Sequence, residues 1–181
     1  MNPSASSEPL SHPGKPLSEH LLGTKRIAGL FLEEKRISKD FPYIDHLQRL
    51  VEVIAVCHDI GKITPFFQEH LRQGRPSGDP KTRHSFLSAL FAYQWLREEM
   101  EHPLLPFLAF VAVRRHHQHL HDIMDEISLL NDDSSVIKEQ LESIPEEEFQ
   151  NIAEKLSAPL STRKLLCTFQ TLLEDRPFLR R

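Results

Sequence analysis

The stretch Val53–Lys62, VIAVCHDIGK, decides the fold, because an apolar run ends abruptly in a histidine, an aspartate and a lysine. Helical spacing places His58 on the same face as Val51 and Ile54, so its imidazole points where the apolar stripe points. Burying a charged group is costly unless something pairs with it. This end of the helix therefore either reaches the surface or forms a binding site.

Outward from this stretch, apolar residues recur at helical spacing along most of the chain. The predicted helices are 17–35, 43–58, 65–72, 84–101, 104–119, 146–156 and 162–175. In the first predicted helix, Leu17, Leu21, Ala28 and Phe31 form one stripe. No segment has a convincing strand pattern, and 122–145 is expected to mix loop with a short helix. The predicted fold class is an all-α bundle.

The bulk composition indicates one domain over residues 1–181, with the polar, proline-rich residues 1–15 as a flexible tail. A net charge of −4 excludes a broadly basic surface, so any nucleic-acid binding must rest on a local patch. The longest apolar run, 104–113, is about half a membrane span and contains Pro106. The two cysteines are far apart in sequence and imply no disulfide framework, which fits a reducing cytoplasm. The sequence therefore predicts a soluble cytoplasmic protein without membrane contact.

Histidine is the compositional outlier, with eleven residues spread along the chain. His-Asp occurs twice, but His121-Asp122 lies in a polar stretch, whereas His58-Asp59 ends an apolar helix. Histidines from other helices could converge on this aspartate; the candidates are His20, His58, His84, His116 and His117. Imidazole and carboxylate together suit transition metals better than Mg²⁺, which prefers oxygen ligands.

The motifs together resemble a known family. They are an early L-x-x-H ending at His20, HDIGK-x-x-x-x-FQ at 58–68, RHSFLSA at 83–89, and the pair His116-His117. This combination resembles the HD superfamily of metal-dependent phosphohydrolases. More narrowly, it resembles the HD nuclease domain of type I CRISPR interference, the nuclease part of the CRISPR-associated helicase-nuclease. The resemblance covers about residues 12–120 and implies an HD-domain helical bundle with the metal site between helices.

The resemblance also implies roles for individual residues. Asp59 would bridge two divalent ions, expected to be Mn, Ni, Co or Fe, with Mg possible. One ion would be held by His20, His58 and a late aspartate, and the other by His84, His116 and His117. Asp175 is the preferred late aspartate, with Asp122, Asp132 and Asp133 as alternatives. Lys62 would act in catalysis by contacting the substrate phosphate.

Basic residues near these motifs are candidates for substrate binding. The loop 72–83 contains Arg75 and Arg83 and runs directly into His84, and Arg115 precedes the histidine pair. These arginines could contact phosphates on either side of the cleaved one, although the loop could equally be an ordinary solvated loop.

Three functional classes remain open. The favoured one is a metal-dependent nuclease that cuts single-stranded DNA in CRISPR interference. The alternative is an HD phosphohydrolase acting on a nucleotide or cyclic dinucleotide, although the Gly-Tyr-Pro signature of the cyclic-dinucleotide group is missing. The third is a metal-binding but inactive module.

The chain also lacks a G-x-x-x-x-G-K-[ST] loop, so it is not expected to hydrolyse nucleotides as a motor. The resemblance implies as partners a CRISPR-associated helicase, in trans or as a missing domain, and the crRNA-guided surveillance complex. On this view the chain is either a stand-alone nuclease subunit or an excised domain.

Overall fold

A computed structural model of the chain describes residues 8–74, 78–102, 104–120 and 134–175, with the side chains of Ser134 and of residues 173–175 outside the description. Its α-helices are α1 (Leu17–Glu34), α2 (Ile44–Cys57), α3 (Pro65–Gln73), α4 (Ser85–Glu99), α5 (Leu104–Arg114), α6 (Ser134–Ser143), α7 (Glu146–Leu156) and α8 (Thr162–Asp175). Two 3-10 turns, Ile60–Ile63 and Pro80–Thr82, lie between them. A small antiparallel hairpin joins β1 (Leu10–His12) to β2 (Lys15–Pro16). The predicted all-α class is confirmed, although the sequence pattern did not indicate the hairpin.

The helix α4 is the centre of the bundle. Every residue from 86 to 96 is buried, including Trp95 and the polar side chain of Ser88. The sequence predicted an apolar face on this helix, but α2, α5, α6 and α8 all pack around it. Because α4 is enclosed on all sides, the position of His84 just before its first turn is closely determined.

The helix α1 is buried only in its first turns. Leu17 and Leu21 are fully buried, whereas Phe31 is 61% exposed. Phe31 therefore lies outside the core, contrary to the stripe expected from its spacing. Periodicity identifies the apolar side of a helix, but it does not say whether another element covers that side.

The hairpin lies against the bundle. Gln68 Nε2 donates to the carbonyl oxygens of Leu10, at 2.9 Å, and Lys62, at 2.8 Å. The backbone N–H of Leu10 donates in turn to Gln68 Oε1 at 3.0 Å. This differs from the flexible tail predicted for residues 1–15, of which 1–7 lie outside the described ranges. The N-terminal segment is therefore a part of the structure around the HDIGK stretch.

Most predicted helices agree with the observed bounds within one or two residues. The main exception is the helix predicted over 104–119, since α5 ends at Arg114 and the next residues form a turn. This turn carries His116 and His117. No helix among the described residues is long and apolar enough to cross a membrane.

Candidate metal centre

Asp59 lies between the end of α2 and the following 3-10 turn, and it is only 3% exposed. Its Oδ2 atom is 2.9 Å from His20 Nε2 and 2.8 Å from Lys62 Nζ. Its Oδ1 atom is 2.8 Å from His84 Nε2 and 3.3 Å from His116 Nε2. The two carboxylate oxygens therefore face two different groups of side chains.

Two overlapping clusters of metal-ligating atoms meet at this carboxylate. One consists of His20, His58 and Asp59, and the other of Asp59, His84, His116 and His117. Within each cluster the ligand atoms all lie within 4.8 Å of one another. The structure thus brings together six candidates that are up to 97 positions apart in sequence (20 to 117).

Backbone carbonyls fix which ring nitrogen of two histidines faces the centre. The Nδ1–H of His58 donates to the Ala55 carbonyl at 2.8 Å, and that of His116 donates to the Val113 carbonyl at 2.6 Å. A neutral imidazole that donates from Nδ1 keeps a lone pair on Nε2. Both Nε2 atoms are directed towards Asp59, in the arrangement that metal-binding histidines commonly show.

Three buried atoms meet at the centre: Asp59 Oδ1, His84 Nε2 and His116 Nε2. Both nitrogens lie within 3.3 Å of the Asp59 oxygen, yet none of the three atoms makes a well-directed hydrogen bond. Buried polar atoms without partners are costly and uncommon. A divalent ion between the carboxylate oxygen and the two nitrogens would satisfy all three atoms, and nitrogen with oxygen is a donor set that transition metals accept. The residues present therefore fit a metal ion.

The electrostatics of the site also suit metal binding. Burial lowers the pKa of His20, His58 and His84. Burial alone would raise the pKa of Asp59, but contacts with His116, His84 and Lys62 hold it well below its usual range. Neutral imidazoles around an ionised carboxylate are the protonation states that metal ligation requires.

Gly61 allows α4 to approach this centre. Its backbone N–H donates to Ser88 Oγ at 2.9 Å, and an added Cβ would stand 2.5 Å from the carbonyl oxygen of His84. Gly61 does not cap the preceding helix, because α2 already ends at Cys57. Glycine is required at position 61 because α4 and His84 pack directly against its backbone.

Lys62 is buried behind the carboxylate. Its Nζ contacts Asp59 Oδ2 and donates to the Ser11 carbonyl at 3.3 Å, and only 5% of the residue is exposed. In this structure Lys62 orients Asp59 and links it to the hairpin. Direct contact of Lys62 with a substrate phosphate, which the resemblance implied, would require a rearrangement.

The predicted substrate-binding arginines lie beside the histidines. Arg83 is exposed, whereas Arg115 is buried and donates to Gln118 Oε1. Both line a cavity of about 310 Å³, and each directly precedes a histidine of the centre in sequence. Of the other candidates, Arg75, Asp122, Asp132 and Asp133 lie outside the described residues. Asp175 is the last residue of α8, and its side chain is likewise outside the description.

Some residues that build the centre were not identified from the sequence. Gln68 and Ser88 belong to the motifs FQ and RHSFLSA. Their structural roles come from hydrogen bonds to the backbone of Lys62 and of Gly61, which the sequence pattern does not show. His12 was not among the candidate histidines. It is exposed, yet its ring centroid lies 5.1 Å from that of His20, at the rim of the site.

The chain is similar to known proteins. The sequence model of the family described as the Cas3 HD domain matches residues 5–173. The CRISPR-associated endonuclease Cas3-HD of Pyrococcus furiosus is 25% identical over 114 residues, 58% of this chain and 47% of the relative. The CRISPR-associated nuclease/helicase Cas3 of Haloferax volcanii is 30% identical over 134 residues, 71% of this chain and 14% of the relative. The chain therefore spans less than half of the first relative and a small part of the second.

A solved structure is also similar. The CRISPR-associated Cas3 HD domain protein of Methanocaldococcus jannaschii aligns over 93% of this chain and 98% of its own, at 19% identity and a TM-score of 0.48.

Proposed function

This chain belongs to the Cas3 HD domain family, and we propose that it is a divalent-metal-dependent nuclease that hydrolyses phosphodiester bonds of single-stranded DNA in CRISPR interference. The observation that supports this most directly is the position of Asp59. Its two oxygens face separate groups of histidines, and its Oδ1 atom and the Nε2 atoms of His84 and His116 make no well-directed hydrogen bond. This arrangement favours a centre with more than one ion.

The proposed centre holds two ions of Mn, Ni, Co or Fe, with Mg possible. His20 and His58 would hold the first, together with Asp175, while His84, His116 and His117 would hold the second. Divalent ions in such a site supply Lewis-acid activation of water and of the phosphodiester. Asp59 would fix the spacing between the ions. Lys62, through its contact with Asp59 Oδ2, would keep that carboxylate in place and ionised.

The centre is accessible to a polymer on one side. His117 is exposed, and an open cavity of about 550 Å³ is lined by residues 116–119. A long strand can pass through an open groove, whereas hydrolysis of a small nucleotide usually takes place in an enclosed pocket. The exposure of this side therefore favours a nucleic acid as the substrate.

Arginines beside the centre would bind the strand. Arg83 and Arg115 line one cavity and directly precede His84 and His116 in sequence, and Arg75 belongs to the same basic stretch of sequence as Arg83. We assign to them contacts with the phosphates that flank the cleaved one. Because the net charge of the chain is −4, such local contacts must provide most of the attraction to DNA.

A helicase is the proposed partner. The relative from Haloferax volcanii is named a nuclease/helicase, and this chain matches only 14% of its length. The strand would be supplied by a helicase, in trans or in the same polypeptide, that is recruited by a crRNA-guided surveillance complex. Duplex DNA is then expected to resist cleavage by this chain alone.

The test uses circular single-stranded DNA, which has no ends for an exonuclease or a nucleotide phosphohydrolase to attack. We expect cleavage with Mn²⁺ or Ni²⁺, none after chelation, and none with Asp59→Asn, while elemental analysis gives close to two ions per chain. The matched control is Asp45→Asn, which removes an exposed carboxylate from α2, the helix that precedes Asp59. An intact circle together with rapid turnover of a mononucleotide or cyclic dinucleotide would instead identify a nucleotide phosphohydrolase.

The arginine contacts have a separate test. Arg83→Ala is expected to weaken DNA cleavage and to lower its salt dependence by about one unit of logarithmic slope. Hydrolysis of a small chromogenic phosphodiester should remain unchanged, since that substrate reaches only the metal centre. The control is Arg163→Ala on α8, an exposed arginine distant in sequence from the site motifs. If the two variants affected DNA cleavage equally, the proposed contact between Arg83 and the DNA phosphates would be wrong.

A further inference from the structure

Among the described residues, exposed large apolar side chains are most frequent in the stretch of sequence from Leu22 to Tyr43. Of nine large hydrophobic residues that are strongly exposed, six lie on α1 or in the segment that follows it: Leu22, Ile27, Leu30, Phe31, Phe41 and Tyr43. Single exposed apolar residues are ordinary, but a contiguous group marks an interaction surface. We call the exposed residues Arg26, Ile27, Leu30, Phe31 and Glu34 the α1 face.

The charges on the α1 face are arranged symmetrically around its centre. Arg26, Leu30 and Glu34 follow one another at intervals of four residues, so they lie along one line of the helix. Arg26 and Glu34 are about 12 Å apart along the helix axis, too far to pair with each other. Within the described part of the chain neither has an ion-pair partner, whereas neighbouring Lys25 pairs with Glu52.

We infer that the α1 face binds the α1 face of a second copy of this chain, with the two helices antiparallel. A twofold axis near Leu30 would place the two Leu30 side chains against each other. The same rotation would bring Arg26 of each copy opposite Glu34 of the other, giving two equivalent ion pairs. Ile27 and Phe31, one residue further round the helix, would extend the apolar contact on both sides of the axis.

A second copy matches this surface better than a nucleic acid or a membrane does. Each of those partners would favour basic residues, whereas the α1 face ends in one basic and one acidic residue. A twofold interface must be self-complementary, so that each residue of one copy meets its symmetric counterpart. The order basic, apolar, acidic along the line from Arg26 to Glu34 satisfies this condition.

The experiment is sedimentation velocity of the whole chain between about 1 and 300 µM, a range that covers dimers of modest affinity. We expect a reversible dimer. Leu30→Glu should raise the dissociation constant at least about 100-fold, because it places two carboxylates on the axis. Leu108→Glu, the same change at an exposed residue of α5, is the matched control and should leave the dimer intact. Circular dichroism establishes that each variant is folded.

Charge reversal tests the antiparallel register. Arg26→Glu and Glu34→Arg should each weaken the dimer about tenfold or more, because like charges then face each other. The double variant, Arg26→Glu with Glu34→Arg, should recover nearly the original affinity. A monomer at every concentration, a dimer indifferent to Leu30→Glu, or a double variant no tighter than the single ones would each overturn the proposal.

Discussion

Replacing Gly61 with alanine is expected to weaken both the fold and the part of the metal centre that contains His84. The added Cβ would stand 2.5 Å from the His84 carbonyl oxygen and 2.9 Å from Ser88 Oγ. Ordinary van der Waals contact begins at 3.4 Å, so the first turn of α4 must move by up to 0.9 Å (3.4 − 2.5). Since α4 is enclosed on all sides, this movement disturbs the core.

The size of the effect follows from two terms. Overpacking of a well-packed interior costs about 1–3 kcal/mol. Weakening the buried hydrogen bond from the Gly61 N–H to Ser88 Oγ costs about 1 kcal/mol more. The free energy of unfolding should therefore fall by roughly 3 kcal/mol, which lowers Tm by about 6–12 °C for a chain of this size.

Metal binding should change unequally at the two histidine groups. Metal–ligand distances tolerate only about 0.2 Å of error. Displacement of His84 should therefore weaken metal binding by the group of His84, His116 and His117 at least about tenfold. Binding by His20 and His58 should change less, because neither belongs to α4.

Thermal denaturation with chelator present and calorimetric metal titration measure the two effects. The control is Gly23→Ala, because Gly23 is exposed on α1 and nothing lies within 4 Å of its added Cβ. That variant should gain about 0.5–1 kcal/mol, since alanine favours helix more than glycine does. If Gly61→Ala were as stable as the parent chain and bound both ions normally, the close packing of α4 on the HDIGK turn would be refuted.

Three further outcomes are expected. Lys62→Met should lower the free energy of unfolding by roughly 3 kcal/mol, because it breaks a buried ion pair. Asp59→Asn should cost less in the Lys62→Met variant than in the parent chain, and a double-mutant cycle measures this difference. The metal-free protein should lose stability as the pH falls below about 6.5, because burial lowers the folded-state pKa values of His20, His58 and His84 and protons therefore bind the unfolded chain preferentially. Urea titrations between about pH 8 and 5 give the dependence of the unfolding free energy on pH. A flat profile would contradict the burial of these imidazoles. Mn²⁺ or Ni²⁺ at about 100 times its dissociation constant should stabilise the parent chain by roughly 2.7 kcal/mol and the Asp59→Asn variant far less, as differential scanning fluorimetry would detect.

The helices and the histidine candidates could be predicted because their signals are local. Helical periodicity located α2 and α4, and the position of His58 at the end of an apolar stripe identified the candidate centre. Both depend on residues within a few turns of one another.

The supporting contacts could not be predicted, because they join segments that are distant in sequence. Gln68 connects the hairpin to the HDIGK turn across 58 positions, and the Lys62 ammonium reaches Ser11 across 51. Nothing in the local pattern distinguishes a buried lysine from a solvent-facing one at a helix end. The exposure of Phe31 has the same origin, since the absence of a covering element is a property of the assembled fold.

The enclosure of α4 also has a consequence for how ions enter and leave the centre. Amide hydrogens of a helix buried on every side exchange with solvent only through large-scale opening, so α4 should be among the slowest-exchanging segments. His84 is anchored to that segment, whereas His116 and His117 lie in a turn after α5, with His117 exposed. We therefore expect local fluctuations of this turn to set the rate of ion release. His84 and Asp59 should be the last ligands to dissociate from the ion.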